Sequence, residues 1–110
     1  MRPSDHSVAY VREVLRLYRA TPTVLGRLRR TDRVLARQLY EQHVPLYAVR
    51  NALIIGAARR VLHNGHSTPM PPVRSLHYFL PLLRETLDRP PGYREIDQLV
   101  AELRARGAVW

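Results

Sequence analysis

The side chain best suited to chemistry in this sequence is arginine, whose guanidinium group binds phosphates and carboxylates. All eighteen basic residues are arginine, a choice that codon bias in a GC-rich genome also explains. Residues 1–60 hold twelve of them against four acidic residues, whereas residues 61–110 hold six against five. An excess of positive charge of this size attracts polyanions, nucleic acid above all. The sequence therefore predicts a basic half, residues 1–60, that meets an anionic partner, and a near-neutral half, residues 61–110.

Two rows of arginine are predicted on the outer faces of the first two helices. Arg12, Arg16 and Arg19 are spaced by four and three residues, so they share one stripe of a helix. A similar spacing recurs on the next helix, and two further arginines lie in the segment between the helices. The predicted contacts to a nucleic-acid backbone are Arg12, Arg16, Arg19, Arg27, Arg29, Arg30, Arg33 and Arg37.

A second candidate site lies in residues 38–53, where a helix, a tight turn and another helix follow one another. The first two turns of the second helix offer an open polar face made by Tyr47, Arg50 and Asn51. Arginine and asparagine are the residue types that make paired hydrogen bonds with base edges. These three residues are therefore the predicted base contacts.

The segment from His43 to Leu53 resembles the turn and recognition helix of lac-repressor-type DNA readers, with Val44 and Val49 as its two apolar pins. It departs from that pattern at Leu39, where a small residue is preferred, and at His43, which replaces the glycine of the turn. The alternative is a plain helical hairpin inside a bundle.

The sequence carries no pattern that predicts catalysis. It has no cysteine, no Gly-rich phosphate loop, no serine elbow and no His-Glu pair at zinc spacing. His63, His66 and His77 lack neighbouring carboxylates that would complete a metal site, and the first two flank a helix end at Asn64-Gly65. We expect a protein that is not an enzyme, with no metal ligand and no cofactor.

Helices must position these residues. The first is predicted to begin at a Ser7 cap and to end before Pro22, and the second to run from a cap at Thr31 or Asp32 to about Gln42. Residues 24–30 are predicted to be irregular or briefly helical. The residues predicted to face inward are Val8, Val11, Leu15 and Tyr18 in the first helix and Val34, Leu35 and Leu39 in the second.

The remaining pattern is also helical. A central helix is predicted from Pro45 to about Leu62, apolar nearly all round, followed by a proline-rich connector, residues 66–73. Residues 74–87 form a helix that Pro81 kinks or splits, and a last helix follows Gly92 and closes at Gly107. Its predicted inward residues are Ile96, Leu99, Val100 and Leu103, and those of residues 74–87 are Leu76, Phe79, Leu80, Leu83 and Leu87. The predicted fold class is all-α: one domain, residues 1–110, in a compact bundle of four to five helices with a helix-turn-helix-like hairpin.

The order of elements from Asp32 to Leu87 resembles small bacterial proteins of mobile elements and plasmid replication. It is also similar to the DnaD-like replication-initiation domain, whose tyrosine and aliphatic pair would correspond to Tyr78 and Leu82-Leu83. The resemblance implies a DNA-bound accessory role and names no catalytic residue.

The predicted function is a non-enzymatic nucleic-acid-binding accessory protein, with DNA favoured over RNA. The alternative is a protein-interaction subunit whose basic face docks on an acidic partner or lies within a larger nucleoprotein assembly, and a homo-oligomer stays open, with Trp110 as an anchor onto this fold or a second chain. The first twenty residues lack the apolar core of a signal peptide, and the longest apolar run, Ala52 to Ala58, is far shorter than a membrane span. We therefore expect a cytoplasmic protein with no membrane partner.

Overall fold

A computed structural model of the chain describes residues 4–62 and 71–106. Its elements are α1 (Asp5–Ala20), α2 (Arg30–Glu41), α3 (Leu46–Val61), a 3₁₀ helix (Leu76–Phe79), α4 (Leu80–Asp88) and α5 (Tyr93–Ala105). Within those residues no strand forms, and one isolated parallel bridge joins Val24 to Val73. The all-α prediction is confirmed. The predicted helix end at Asn64-Gly65, the histidines His63 and His66, and the closing segment Gly107–Trp110 lie outside the described residues.

Helix α3 is the central element, as its nearly uniform apolar character predicts. It contacts α1, α4, α5 and the 3₁₀ helix. Ala52 and Leu53 belong to a core shared with α1, α2, the 3₁₀ helix and α4, whereas Ile54 and Ala58 pack with α5 in a second cluster. The two core clusters are therefore joined through one apolar helix.

Helix α3 approaches the 3₁₀ helix closely at Gly56. A Cβ atom at this position would lie 2.6 Å from a ring carbon of the buried Phe79 and 2.8 Å from a methyl carbon of Leu82. A packed aromatic ring cannot yield that much space at low cost. Gly56 therefore sets the spacing between α3 and the 3₁₀–α4 segment.

The starts of the first two helices differ from the prediction. Ser4, not Ser7, caps α1: the Ser4 hydroxyl accepts a hydrogen bond from the backbone N–H of Ser7 at 3.0 Å, and Ser7 itself is buried. Helix α2 begins at Arg30, so neither Thr31 nor Asp32 is its cap residue. In both cases the predicted start lies too late, because a polar residue within the first turn resembles a cap in sequence.

The inward-facing prediction holds for most residues and fails for three. Leu35 and Leu39 are buried, but Val8 and Val34 are 40% and 46% exposed, and Leu87 is also exposed. Val8 lies at the margin of the apolar stripe of α1, where it stays in contact with solvent. Val34 precedes Leu35 by one residue and Leu39 by five, so it does not share their face, and it lies beside Arg30, Arg33 and Arg37 on the outer side of α2.

Pro81 splits its segment in two. Residues 76–79 form the 3₁₀ helix, capped by the hydroxyl of Ser75, and α4 follows with Pro81 in its first turn. Proline is tolerated there because its missing N–H has no acceptor in the helix. The split confirms one of the two predicted outcomes.

Asp32 is the most buried charged residue in the described part of the chain. One carboxylate oxygen accepts the backbone N–H of Arg29 at 2.9 Å, and the other accepts the N–H of Leu76 at 3.0 Å. The first bond closes the N-terminus of α2. The second joins α2 to the start of the 3₁₀ helix, so a single side chain fixes two elements.

Arg60 makes a second polar connection and was not singled out by the sequence. Its Nε donates to the Thr23 hydroxyl at 2.9 Å, its Nη1 to the Tyr78 hydroxyl at 3.2 Å and its Nη2 to the Pro71 carbonyl. The guanidinium carbon also lies 5.3 Å from the centre of the Tyr78 ring. Arg60 thus holds two irregular segments against the end of α3.

Replacing Asp32 by alanine removes the acceptor of two backbone N–H groups. We expect Asp32→Ala to lower the free energy of unfolding by about 3 kcal/mol, because the buried N–H of Leu76 left without a partner costs about 1–3 kcal/mol and the loss of the bond to the part-buried N–H of Arg29 adds about 1 kcal/mol. Urea denaturation measures the loss. Asp97→Ala, an equal change of charge on the exposed face of α5, is the control and should stay within about 0.5 kcal/mol of the parent. Equal stabilities of the two variants would contradict the role assigned to Asp32.

Two buried tyrosines should make the fold sensitive to alkaline pH. Burial raises the pKa of Tyr10 and of Tyr18 to about 12, from an ordinary value of 10.0. The folded state then holds both protons more tightly than the unfolded state. The contribution of these two tyrosines to the free energy of unfolding is therefore fully present below pH 10. The free energy of unfolding then falls as the pH rises towards 12.

Urea denaturation across this pH range tests the expectation. Tyr18→Phe should flatten the decline, because the titrating hydroxyl is gone. Tyr93→Phe is the matched control: Tyr93 is 93% exposed, and its replacement should leave the decline unchanged. Parallel curves for both variants and the parent would show that other groups govern alkaline unfolding.

Candidate nucleic-acid interface

Helices α1 and α2 form an antiparallel pair. The rings of Tyr10 and Tyr40 lie 5.4 Å apart, and the hydroxyls of Ser4 and Tyr40 are 3.4 Å apart, so the start of α1 meets the end of α2. The Tyr10 hydroxyl donates to the carbonyl of Val44 at 2.8 Å and ties the turn after α2 to the same place. The arginine rows predicted on the two helices therefore run beside each other.

An open groove of about 740 Å³ lies between these rows. Arg12, Arg16 and Arg19 line it from α1, and Arg33 and Arg37 line it from α2. All five side chains are exposed, as predicted. The floor of the groove is aliphatic and includes Val8, Val11, Leu15 and Leu28. We call this feature the α1/α2 groove.

A smaller groove of about 400 Å³ follows the outer side of α2. Arg30, Arg33 and Arg37 line it, together with Val34. Because Arg33 and Arg37 line both grooves, they form a ridge that connects them. Arg27 and Arg29 are exposed in the segment before α2 and line neither groove. The structure thus brings six of the eight predicted backbone contacts onto one continuous surface.

This surface contains little negative charge. Glu13 accepts from Arg16 Nε at 3.0 Å, and this hydrogen bond, aided by the charge of Arg16, lowers the pKa of Glu13 below its ordinary value. Glu41 lines the end of the outer groove. Among residues 4–62 and 71–106, no other acidic side chain forms an ion pair with the eight arginines. Most of their guanidinium groups are therefore available to an anionic ligand.

The turn between α2 and α3 ends α2 with a left-handed residue. His43 has φ 58°, the N–H of His43 donates to the Tyr40 carbonyl and that of Val44 donates to the Leu39 carbonyl. This arrangement is a Schellman motif, whose left-handed position is usually glycine. His43 therefore adopts, without a glycine, the left-handed conformation that ends α2.

The predicted base contacts share one face at the start of α3. Tyr47 is 65% exposed, and Arg50 and Asn51 are half-buried. Neither groove is lined by any of the three, so they are not part of the surface formed by the two grooves. The predicted pins Val44 and Val49 are buried.

Helices α2 and α3 do not pack side by side, and they contact each other through a few large apolar side chains. Leu35 and Leu39 of α2 face Val49 and Leu53 of α3 around a void of about 10 Å³. Helix α2 packs mainly on α1, and α3 packs mainly on α4 and α5. The large side chain of Leu39, at the position where a small residue was expected, lies in this contact.

Aromatic and metal-binding side chains contribute little to the site. Tyr10 and Tyr18 are buried and Tyr40 is half-buried, so Tyr47 is the exposed tyrosine of the described basic half.

In the ranges 4–62 and 71–106, no three histidine or acidic side chains come together as a metal site would require. The described helices also include none that is long and apolar enough to cross a membrane.

The fold and surface define a class: a small all-α bundle with an arginine-rich helical pair. Comparisons with protein-family models, with curated proteins and with solved structures find no match to this chain.

Proposed function

We propose that the chain is a non-enzymatic nucleic-acid-binding accessory protein that acts on DNA. One observation carries the proposal: the exposed arginines of α1 and α2 form a continuous surface. Within the described residues, one of these arginines, Arg16, is neutralised by an ion pair, with Glu13. Such a surface attracts a polyanion and gains affinity from counterion release. A small anion would not require a charged surface that extends over two grooves.

The spacing of the arginines suits a repeating anionic backbone. Arg12 and Arg19 are separated by about 10 Å along α1, and Arg30 and Arg37 by the same distance along α2, at 1.5 Å per residue. Phosphate contacts of this kind position a protein on nucleic acid without reading its sequence. Sequence reading, where it occurs, is assigned to Tyr47, Arg50 and Asn51.

The biological setting is also a proposal. The resemblance of residues 32–87 to proteins of mobile elements and plasmid replication supports an accessory role in such a system, within the cytoplasm. The near-neutral half gives no competing indication, because its acids and arginines are nearly balanced.

The salt dependence of binding tests the proposal. If about six arginines contact phosphates, affinity for a short duplex should fall about a thousandfold between about 50 and 200 mM salt. Replacing Arg30, Arg33 and Arg37 together by glutamine should reduce the slope of log affinity against log salt by about 3.

Matched substitutions in the near-neutral half control for net charge. Arg74, Arg84 and Arg94 are exposed, and their joint replacement by glutamine should change the slope much less. Equal slopes for the two triple variants would mean that total charge, rather than the α1/α2 surface, binds the duplex. Absence of binding at low salt would reject the nucleic-acid function.

A separate prediction concerns sequence reading at the start of α3. Asn51→Ala should lose about 1–3 kcal/mol of binding on a duplex selected from a random pool, because a paired contact to a base edge is lost. Binding to random duplex should stay nearly unchanged. Competition assays on both duplexes measure the difference, and Gln98→Ala on α5 provides the control. An equal loss on both duplexes, or a large fall in melting temperature, would reject base contact by Asn51.

A further inference from the structure

The floor of the α1/α2 groove has a property that phosphate binding does not explain. Val8 is 40% exposed at one end of it, and Val11 and Leu28 are half-buried along it. Arginines border this aliphatic strip on both sides. A phosphate backbone gains nothing from contact with aliphatic side chains, and covering them with charged groups would remove water from those groups without compensation.

We propose that the α1/α2 groove is a docking site for an acidic amphipathic helix of a protein partner. The apolar stripe of such a helix would pack on the aliphatic floor, as in other helix-in-groove complexes. Carboxylates beside that stripe would meet Arg12 and Arg19 on one side and Arg33 and Arg37 on the other. From Val8 to Arg19 the floor runs about 16 Å, the length of about three helical turns.

The charge pattern argues against a second copy of this chain as the occupant. Each chain carries a net charge of +9, so two basic surfaces repel each other. The most acidic helix in the described part of the chain is α5, with Glu95, Asp97 and Glu102. Its apolar residues Ile96 and Val100 already pack on α3, so α5 has no free stripe to offer.

The composition of the groove also argues against single-stranded nucleic acid. Strands of this kind are held by aromatic rings on which bases stack. The side chains that line the groove are arginine, aliphatic residues and Ser7, and none is aromatic. The groove therefore matches a ligand that combines an apolar stripe with flanking carboxylates.

The docking proposal does not rest on the nucleic-acid function, because it concerns the α1/α2 groove alone. The two grooves share Arg33 and Arg37, and they differ at Val8 and Arg12 in the α1/α2 groove and at Arg30 and Val34 in the outer groove. These differences supply matched variants. Val8 and Val34 are both exposed valines on helices, so replacing either by glutamine leaves the core intact.

The test uses a labelled synthetic peptide of about four helical turns, with leucines at helical spacing, glutamates on both flanks and alanine elsewhere. A shuffled peptide of the same composition is the control. Fluorescence anisotropy at about 150 mM salt should show the amphipathic peptide binding at least about tenfold more tightly than the shuffled one, because only the first presents a stripe.

Substitutions in the two grooves show where on the protein the peptide binds. Val8→Gln should weaken binding about fivefold, because apolar contact on the floor is lost, whereas Val34→Gln should have no effect. The double variant Arg12→Gln, Arg19→Gln should weaken binding, and Arg74→Gln, Arg84→Gln should leave it almost unchanged.

Five outcomes would overturn the proposal. The first four are absence of peptide binding, equal binding of the two peptides, equal effects of the two valine variants, and concentration-dependent self-association that Val8→Gln abolishes. The fifth is loss of duplex binding in Val8→Gln with peptide binding retained, which would assign the groove to nucleic acid. Because no nucleic acid enters the peptide assay, a failed duplex experiment leaves its result intact.

Discussion

The buried carboxylate of Asp32 connects the parts of this molecule that carry its surface chemistry. It closes the N-terminus of α2, and it holds the start of the 3₁₀ helix through the N–H of Leu76. Helix α2 carries Arg30, Arg33 and Arg37, so the same contact fixes the ridge between the two grooves. A buried charge is tolerated only where its hydrogen bonds are made. The position of α2 therefore depends on a polar contact inside a largely apolar core.

The burial of Asp32 also shapes the charge of the surface. Of the four acids in residues 1–60, Asp32 is directed inward, Glu13 is paired with Arg16, Asp5 begins α1 and Glu41 ends α2. The middle of the helical pair is thus left almost entirely to arginine. The fold turns a modest excess of arginine in the sequence into a local surplus, because one acid is buried, one is paired with Arg16 and two lie at the ends of the helices.

The sequence predicts the helices well because a helix is encoded by local spacing. The central α3, the split at Pro81 and the outward arginine rows all follow from residues a few positions apart. Long-range polar contacts do not: Asp32 and Leu76 are 44 positions apart, and Arg60 and Thr23 are 37 apart. The exposure of Val8 was equally inaccessible, since its spacing is that of a buried residue and only the placement of neighbouring helices leaves it open. The exposure of Val34 follows instead from local spacing, because it lies one residue before Leu35 and five before Leu39.

That placement also explains why the α1/α2 groove remains apolar at its floor. Helix α3 contacts α1, and the 3₁₀ helix contacts α2, so the core covers the inner faces of the pair. In the described chain α4 and α5 pack on α3 instead, which leaves no helix for the opposite side. Two helices side by side form a furrow that a third helix can fill. The arginines on both rims set the charge that such a helix must carry, so the geometry of the pair supports the choice of an acidic helical ligand.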